Sequence, residues 1–570
     1  MYLKKYTTKT GRVYLAISEG YHDPVTKRTK TVNVQKLGYL DDLEKDYADP
    51  LAHFQTVIDK MNEEKREGKK PVTLTLDLAG RVSGTIRKNF GYAALSAVYY
   101  ELELDKFFAN RQQSLKVKFN LDVIARLLTF SRLLTPGSKR NAFENRDWYF
   151  ERNDMSLDDV YRFLTVVSKY RDALQVWIHE RITAIYGRDT TITYYDVTNY
   201  YFEIDAQDDL RRKGVSKEHR PDPIVQMGLF TDNSGLPVAY QLFAGNNNDC
   251  TTLLPVIKRI RREFGIGKAV VVSDKGMNTQ KNAYYLANSR GGYVFSQTVR
   301  GGTKELKAYV LREKGYEWSK DQSFKKKSRQ FTRNIDFVDD DGTTVKAKIA
   351  EKQVVFYSRD YDRKAKADRE AAVQKAKALI KDPDKFNKYN TYGAAKYIKH
   401  IEYDKDTGEI ITPKSEILFD EEKLREEELY DGYYVIVTSR YDAPDDWVID
   451  TYKGLWRIEE TFKVTKSDLE ARPVYVSRED HIQAHFLTCF VALVIIKLLQ
   501  KKTGDQYSSG KMLDSLTKSC CVNFHGSHYV FDHNDEVLDA VGNAVGIDFG
   551  KKYRSLGEIK KIIAATKNNK

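Results

Sequence analysis

Three acidic residues stand far apart in the sequence, yet each lies in a segment that can bring it to a shared site. Asp196 lies in TTITYYDVTNYYF, Asp274 follows KAVVVS, and Glu459 lies in WVIDTYKGLWRIEETFKVTK. Two aspartates on adjacent strands and a glutamate on a later helix can converge on hard divalent cations, which prefer oxygen ligands. Two such ions, about 3.5 to 4 Å apart, activate the attacking oxygen and stabilise the leaving oxygen in phosphodiester cleavage. Together the three acids predict a two-metal site that cuts nucleic acid.

The glutamate is the most informative of the three acids. On a helix over residues 447–466, at about 100° per residue, Glu459 is predicted to fall in the middle of an apolar face. That face comprises Val448, Tyr452, Leu455, Trp456, Ile458 and Phe462. A buried carboxylate without compensation costs several kcal/mol, so Glu459 is expected to be paired or to hold a metal. The alternative for Glu459 is a salt bridge to a neighbouring arginine, and for each aspartate an ordinary polar contact.

The elements that must position these acids form the most regular part of the chain. Residues 190–202, 224–231 and 236–244 have the composition of three successive antiparallel strands, with Asp-Asn-Ser-Gly as a turn. A helix over 251–264, a short buried strand over 268–273, a helix over 279–288 and a strand over 292–297 follow. This β-β-β-α-β order predicts an α/β RNase H-like catalytic core with a mixed sheet. Asp274 then lies at the carboxyl end of its strand, where ligands gather in open α/β sheets.

The rest of the chain is predicted to form segments around this core. Residues 300–431 are lysine-rich, with a strand at QVVFYS and a helix over 364–379, and predict a β-rich insertion domain. The strand GYYVIVTS then returns the chain to the core. The predicted division is a basic β-hairpin module at 1–77, a helical DNA-binding domain at 78–186, the core at 187–299 and 432–505 around the insertion at 300–431, and a C-terminal helical segment at 506–570.

The charge of the chain favours a polyanionic partner. Lysine and arginine total 94 against 81 acids, a net charge of +13, with a pI near 9.1. The excess is concentrated in two patches: residues 1–40 hold eight basic residues against two acids, and residues 300–333 hold eleven against four. Both patches are typical of surfaces that follow phosphates, although a solvated lysine-rich face is an equal alternative.

Other features point to a reduced, cytosolic protein. The N-terminus MYLKKYTTKTGRVYL has no apolar signal segment, and the four cysteines show no CxxC spacing. Cys520 and Cys521 precede three histidines, but this spacing matches no zinc finger, so a structural role is expected. The apolar run 486–499 is shorter than the roughly 20 residues that span a bilayer and predicts a buried helix.

Four segments resemble one known family. YYDVTNYYFE, GLFTDNSGLPVAYQLFAGNNND, VVSDKGM and YKGLWRIEETFKVTKSDLEARPVY are similar to bacterial insertion-sequence transposases of the DDE class, over roughly residues 190–495. The branch they resemble carries Tyr, Arg, Glu and Lys on its last helix in the pattern Tyr-x2-Arg-x3-Glu-x6-Lys. The 185 positions from Asp274 to Glu459 fit the β-rich insertion of that branch.

The resemblance implies roles for individual residues. Asp196, Asp274 and Glu459 would hold two Mg²⁺ or Mn²⁺ ions, and Tyr452 and Lys466 would contact DNA phosphates. Leu455 occupies the position of the signature arginine, and Arg457 is predicted to point away from the site. Lys463 or Arg472 are candidates to replace that arginine. A basic loop after the first strand offers further DNA-binding candidates, although it could equally be solvated: Lys213, Lys217, His219 and Arg220. Trp456 is either a stacking partner for an unpaired base or a core residue.

The predicted function is that of a DNA transposase in the bacterial cytoplasm, at the nucleoid and without membrane association. It is expected to bind the terminal inverted repeats of its element as a homodimer, cleave the ends and join the 3′-hydroxyl to target DNA. The partners are therefore double-stranded end and target DNA. The alternatives are an RNase H-like nuclease without strand transfer and a non-catalytic DNA-binding regulator.

Overall fold

The chain folds as two compact units, Met1–Gly84 and Thr85–Lys570. The computed structural model describes residues 1–8, 11–23, 28–66, 87–151, 154–218, 220–387, 391, 393–403 and 409–567. The finer division into six segments predicted from the sequence stays a prediction.

The first unit is a three-stranded antiparallel sheet with two helices. Its elements are β1 (Tyr2–Thr7), β2 (Val13–Asp23), β3 (Arg28–Tyr39), α1 (Leu40–Leu43) and α2 (Pro50–Arg66). The predicted hairpin is confirmed as β2 and β3, while residues 24–27 of its turn lie outside the described part of the chain. Strand β1 was not predicted, because a strand of six residues leaves a weak periodic signal. Leu15 and Ile17 of β2 are fully buried, as is Ile58 of α2.

The second unit begins with a layer of helices. Its elements are β4 (Lys88–Asn89), α3 (Tyr92–Glu101), α4 (Leu104–Gln112), α5 (Leu121–Leu134), α6 (Lys139–Glu144), α7 (Leu157–Ser168) and α8 (Arg171–Tyr186). Polar caps start the helices where the sequence turns apolar: the Asn120 side chain accepts from the Val123 N–H, and Ser156 forms a capping box with Asp159. Helices α3 and α5 are buried along most of their length, so they belong to the core of the unit.

The predicted core strands and helices are confirmed. They are β5 (Ile192–Tyr201), β6 (Ile224–Thr231), β7 (Pro237–Ala244), α9 (Asp249–Glu263), β8 (Val270–Ser273), α10 (Gln280–Ala287) and β9 (Tyr293–Gln297). Strands β5, β6 and β7 pair antiparallel, whereas β8 pairs parallel with β5 and with β9. The spatial order β7-β6-β5-β8-β9 places β5 at the centre of this part of the sheet.

The lysine-rich segment extends the same sheet. Its elements are α11 (Lys304–Leu311), β10 (Glu317–Trp318), β11 (Phe324–Val338), β12 (Thr344–Ser358), α12 (Arg359–Lys381), β13 (Ile398–Lys399), β14 (Leu418–Phe419), α13 (Glu421–Glu428) and β15 (Tyr433–Thr438). β15 pairs with β9, β12 with β15, and β11 with β12, giving a nine-stranded mixed sheet. The described chain is therefore a mixed α/β protein with one large sheet.

The last elements cover the sheet and the first helices. They are α14 (Asp445–Lys453), α15 (Trp456–Lys463), a π-helical turn (Val464–Asp468), α16 (Glu479–Lys502), α17 (Ser509–Lys518), β16 (Cys520–His525), β17 (His528–Phe531), α18 (Glu536–Val545), β18 (Tyr553–Ser555) and α19 (Leu556–Ala565). Strands β18, β17, β16 and β4 form a four-stranded sheet, which the sequence did not predict.

Helix α16 is the central core helix of the second unit. It packs against α3, α5, α7 and β7, and nearly all of its residues are buried. Among the described helices it alone has the length and apolar composition to cross a membrane, but 94% of its most apolar stretch is buried inside the protein. The prediction of a buried helix is confirmed.

The central position of α16 predicts a large effect of a cavity there. Ile495→Ala, at a side chain with 0% exposure, should lower the free energy of unfolding by about 2 to 5 kcal/mol. Ile185→Ala, at a side chain of α8 with 38% exposure, is the matched control and should lower the free energy of unfolding much less. Urea unfolding followed by circular dichroism compares the two, and equal losses would show that α16 is not a core element.

Candidate active site

Asp196 and Asp274 are neighbours across two parallel strands. The β5–β8 register pairs Ile192 with Val270 and Tyr194 with Val272, and two more residues along it Asp196 stands beside Asp274. The Ser273 hydroxyl donates to the Tyr195 carbonyl at 2.7 Å, so the strands are still joined next to the two acids. The Asp274 carboxylate also accepts from the Gly276 N–H at 3.0 Å and caps a 3₁₀ turn. The structure thus places the two predicted aspartates side by side at the end of β8.

Side chains alternate between the two faces of the sheet along β5, and this alternation determines which elements Asp196 faces. Tyr195 and Val197 point into a core cluster on one side of the sheet, while Tyr194 and Tyr200 join the cluster that contains α14, α15 and α16. Asp196 shares the side of Tyr194 and Tyr200, because side chains two residues apart lie on the same face. It therefore faces the helix that carries Glu459.

Asp196 is half-buried and lies within the electrostatic influence of both other acids. Its side chain is 18% exposed, and Lys217 Nζ lies 3.9 Å from its Oδ1. Burial raises the pKa of Asp196 to about 7; Lys217 opposes this shift, and the negative charges of Asp274 and Glu459 add to it. A divalent cation at this point would offset both the cost of burying the Asp196 charge and its repulsion by the other two acids.

The predicted single helix over residues 447–466 is wrong. The structure has α14, a turn at Gly454 and Leu455, α15, and then the π-helical turn. Because the break changes the rotation of the second half, Glu459 is exposed rather than set in the middle of a buried face. Leu455, Ile458 and Phe462 are buried as expected.

Two tyrosines of β5 hold the broken helix against the sheet. A Cβ on Gly454 would lie 2.0 Å from the Tyr194 hydroxyl, so only glycine allows this close approach. The Tyr194 hydroxyl donates to the Thr451 carbonyl and accepts from Arg457, each at 3.3 Å. Six residues on, the Tyr200 hydroxyl lies 2.9 Å from the Thr465 hydroxyl in the π-helical turn. The tyrosines on either side of Asp196 therefore fix where α15 runs.

The three acids fit divalent cations by their chemistry but do not form a closed cluster. Within the described ranges, no three His, Cys, Asp or Glu side chains have ready-made metal-binding geometry. Glu459 is exposed, so packing does not fix its rotamer and it can turn towards the aspartates. Three carboxylates around a negatively charged, half-buried position are the ligands that hard cations select.

An aromatic cavity of about 410 Å³ adjoins Glu459. Its walls include Tyr361, Tyr434, Tyr452 and Trp456, and its basic lining residues are Arg300, Lys364 and Lys453. The Tyr452 ring packs against Tyr434 with centroids 5.8 Å apart. Trp456 is 57% exposed, so the alternative that it is a core residue is wrong.

Comparison with known families identifies the chain. The model of the transposase DDE domain matches residues 204–495, which is just over half of the chain and includes Asp274 and Glu459. The chain is a DDE transposase. A second model, the N-terminal domain of IS1634 family transposases, matches residues 3–72 and adds that it belongs to an insertion sequence. The branch with the Tyr-Arg-Glu-Lys signature stays a prediction.

Other comparisons give distant results. A solved structure described as the piggyBac transposase synaptic complex with hairpin DNA is similar with a TM-score of 0.37 and 7% identity, over 77% of this chain and 82% of that chain. No curated protein matches the chain. As a DDE transposase the protein is a metal-dependent polynucleotidyl transferase that acts on DNA.

Two predicted DNA-binding cations of the transposase are held by one carboxylate. Lys466 Nζ donates to Glu218 Oε1 at 2.8 Å, and the Arg472 guanidinium pairs with the same oxygen. Burial lowers the pKa of Lys466, and Glu218 opposes this shift. Glu218 was not among the predicted site residues, because it lies 248 residues before Lys466 and the sequence around it carries no local signal of this contact.

The remaining candidates have separate surroundings. Lys217 donates to the Val197 carbonyl beside Asp196, whereas Arg220 pairs with Asp222 at 3.0 Å and stacks on Tyr201. Lys463 and Lys213 are exposed, and His219 lies outside the described residues. Arg457 donates to the Tyr194 hydroxyl and lines a second cavity with Lys497 and Lys501, a cavity that Glu459 does not line; the prediction that Arg457 points away from the site stays a prediction.

Asp249 is a fourth acid near the two aspartates, and it was not predicted as a site residue. Burial raises the pKa of Asp249, with an opposing effect of Lys217 and a further increase from Asp274. Asp249 is the first residue of α9, after the segment GNNN, and Asn248 caps the helix. Its signal was its place directly after the third strand of the core.

The contact between Gly454 and Tyr194 predicts a coupled pair. Gly454→Ala should lower the free energy of unfolding by about 1 to 3 kcal/mol, because the new methyl group meets the Tyr194 hydroxyl. In a Tyr194→Phe background the same change should cost less, since the nearest atom is gone. Urea unfolding of the four proteins measures the coupling, and an equal cost in both backgrounds contradicts it.

Proposed function

We propose that Asp196, Asp274 and Glu459 are the catalytic, metal-binding triad of this transposase. The observation that carries the proposal is the β5–β8 register, which sets Asp196 beside Asp274 on the face towards Glu459. The charges of Asp274 and Glu459 acting on Asp196 support the same grouping. The three carboxylates would bind two Mg²⁺ or Mn²⁺ ions, one pair per active site.

The chain contributes position and charge to this chemistry. Bound cations would activate the attacking oxygen and stabilise the leaving oxygen of the phosphodiester. Asp196 and Asp274 are held by the strands, so their spacing is set by the sheet rather than by the DNA. Glu459 stands on α15, whose course follows from the contacts of Tyr194 and Tyr200. Cleavage of the element's ends would be followed by attack of the 3′-hydroxyl on target DNA.

The proposed DNA contacts surround the acids. Tyr452 and Trp456 line the aromatic cavity next to Glu459, where Trp456 is available to stack on an unpaired base. Lys466 and Arg472 would contact phosphates near the scissile bond, and Lys217, Arg220 and Lys463 would support the strand on either side. A homodimer that holds both inverted-repeat ends is part of the proposal.

Glu459→Gln should abolish cleavage and strand transfer while sparing DNA binding, because it removes a ligand charge but keeps the volume of the side chain. The measurement is Mg²⁺-dependent nicking of a plasmid that carries the element, with joining of precut ends to target plasmid as the second readout. Gel-shift assays with end DNA test the binding.

Glu317→Gln is the control, since Glu317 lies exposed on the edge strand β10 and should leave both activities unchanged. Wild-type cleavage by Glu459→Gln would refute the assignment of the triad. Cleavage without any joined product in the unsubstituted protein would instead favour a nuclease without strand transfer.

Glu218→Gln should strengthen DNA binding several-fold. Glu218 occupies the place of a phosphate between Lys466 and Arg472, so removal of its charge leaves both cations to the DNA. The salt dependence of the affinity should also become steeper. Fluorescence anisotropy with duplex DNA over a range of salt concentrations measures both effects.

The matched control is Glu421→Gln, which removes an exposed carboxylate 3.3 Å from Arg425, a cation outside the proposed DNA contacts, and leaves Lys466 and Arg472 paired. Unchanged or weaker binding by Glu218→Gln, or an equal gain from Glu421→Gln, contradicts the proposed contact of Lys466 and Arg472 with phosphate.

A further inference from the structure

The sheet of the first unit has one face whose side chains form ordered rows. The register aligns Tyr2 with Ser18 and Asn33, and Lys4 with Ala16 and Lys36, across β1, β2 and β3. Ser18 and Ala16 are small and fully buried on the central strand. We call this surface, made by Tyr2, Lys4, Tyr6, Thr31, Asn33 and Lys36, the sheet face.

Hydrogen bonds across the strands order the polar groups of the sheet face. The Tyr6 hydroxyl and the Ser18 hydroxyl both donate to Asn33 Oδ1, at 2.8 and 2.9 Å. Lys4 Nζ lies 4.8 Å from the centroid of the Tyr6 ring. Asn33 and Lys36 are nevertheless exposed, and Tyr2 is 45% exposed. The face therefore presents oriented polar and basic groups to solvent.

Charge is segregated within this unit. The sequence of residues 1–40, which contains the three strands, has eight lysines and arginines against two acids, whereas residues 41–66, which contain most of α1 and all of α2, have four against eight. The strand segment of the unit is thus net basic and the helical segment net acidic. A polyanion would be attracted to the strands and repelled by the helices, which sets its side of approach.

The second basic patch of the sequence does not offer such a surface. Lys325 and Lys327 are buried; Lys325 pairs with Glu313 at 2.7 Å, and Lys327 donates to the Tyr309 and Arg312 carbonyls. The other cations of this patch that pair with acids include Arg300, Lys307, Lys326, Arg329 and Arg333. Many of the basic side chains in residues 300–333 are therefore paired with groups of the protein itself.

The size of the sheet face matches a groove of DNA. Strands lie about 4.8 Å apart, so the outer two strands of a three-stranded sheet are separated by about 10 Å. The major groove of B-DNA is about 12 Å wide and admits strands as well as helices. Asparagine and lysine are among the residue types that read base edges there, and lysine also contacts the phosphates on either side.

We propose that the sheet face of the first unit lies in the major groove of duplex DNA and reads the sequence of the element's ends. This proposal rests on the proposed function, since the ends are the ligand only if the transposase acts on its own element. It moves sequence recognition from the helices of residues 92–186, several of which form the core of the second unit, to the strands of the first.

The test is selection by the full-length chain from a library of duplexes with about 30 random base pairs, roughly three helical turns. The sheet-face variant combines Lys4→Ala, Asn33→Ala and Lys36→Ala. The matched control combines Lys45→Ala, Gln55→Ala and Lys60→Ala, which removes two exposed lysines and one exposed amide from α2 and the turn after α1, outside the sheet of the same unit.

The wild type and the control should enrich one common motif, and the sheet-face variant should bind that motif about ten-fold more weakly or worse. A second variant, Lys4→Gln with Lys36→Gln, keeps Asn33 and its hydrogen bonds. It should lower the slope of log affinity against log salt by about two, one per lysine. This readout holds even if the triple variant folds poorly.

The proposal is overturned if the sheet-face variant enriches the same motif with wild-type affinity, if the control loses it equally, or if the wild type enriches no motif. Glu459→Gln should enrich the motif as the wild type does. Failure of the catalytic proposal would therefore appear in the cleavage assay and leave the selection unchanged.

Discussion

The parallel pairing of β5 with β8 is the constraint on which the site depends. It aligns Asp196 with Asp274 at the end of β8, next to the bond between Ser273 and Tyr195. Burial raises the pKa of Asp196, and the negative charge of Asp274 at the neighbouring position adds to the shift. The fold keeps this unfavourable arrangement because the rest of the sheet and its core helices stabilise it, as is common where a site needs strained electrostatics.

The same strand also controls the third acid. Tyr194 and Tyr200 lie on the face of Asp196; the Tyr194 hydroxyl contacts α14, just before α15, and the Tyr200 hydroxyl contacts the π-helical turn just after it. The tyrosine-rich sequence of β5 thus links the position of Asp196 to the position of Glu459 through one strand. Gly454 permits the close approach of the helix to Tyr194. The packing of β5 against α14 and α15, the relative position of Asp196 and Glu459, and the break in the helix at Gly454 therefore depend on one another.

Much of this could be predicted from the sequence, because alternation in strands and caps on helices are local signals. The β-β-β-α-β order and the place of Asp196 and Asp274 within it followed from such patterns. The exposure of Glu459 could not, since the break before α15 depends on the distant Tyr194. Glu218 was missed for the same reason, as its contacts with Lys466 and Arg472 are tertiary. The burial of Lys325 and Lys327 among tyrosine rings likewise has no local signal.

The central claim is that Asp196, Asp274 and Glu459 share bound cations. Anomalous diffraction from crystals of the full-length protein with end DNA and Mn²⁺ tests it most directly. Two manganese peaks bounded by the carboxylates of all three residues are the predicted result. Peaks that leave Glu459 out of contact, or that lie elsewhere on the chain, would contradict the account.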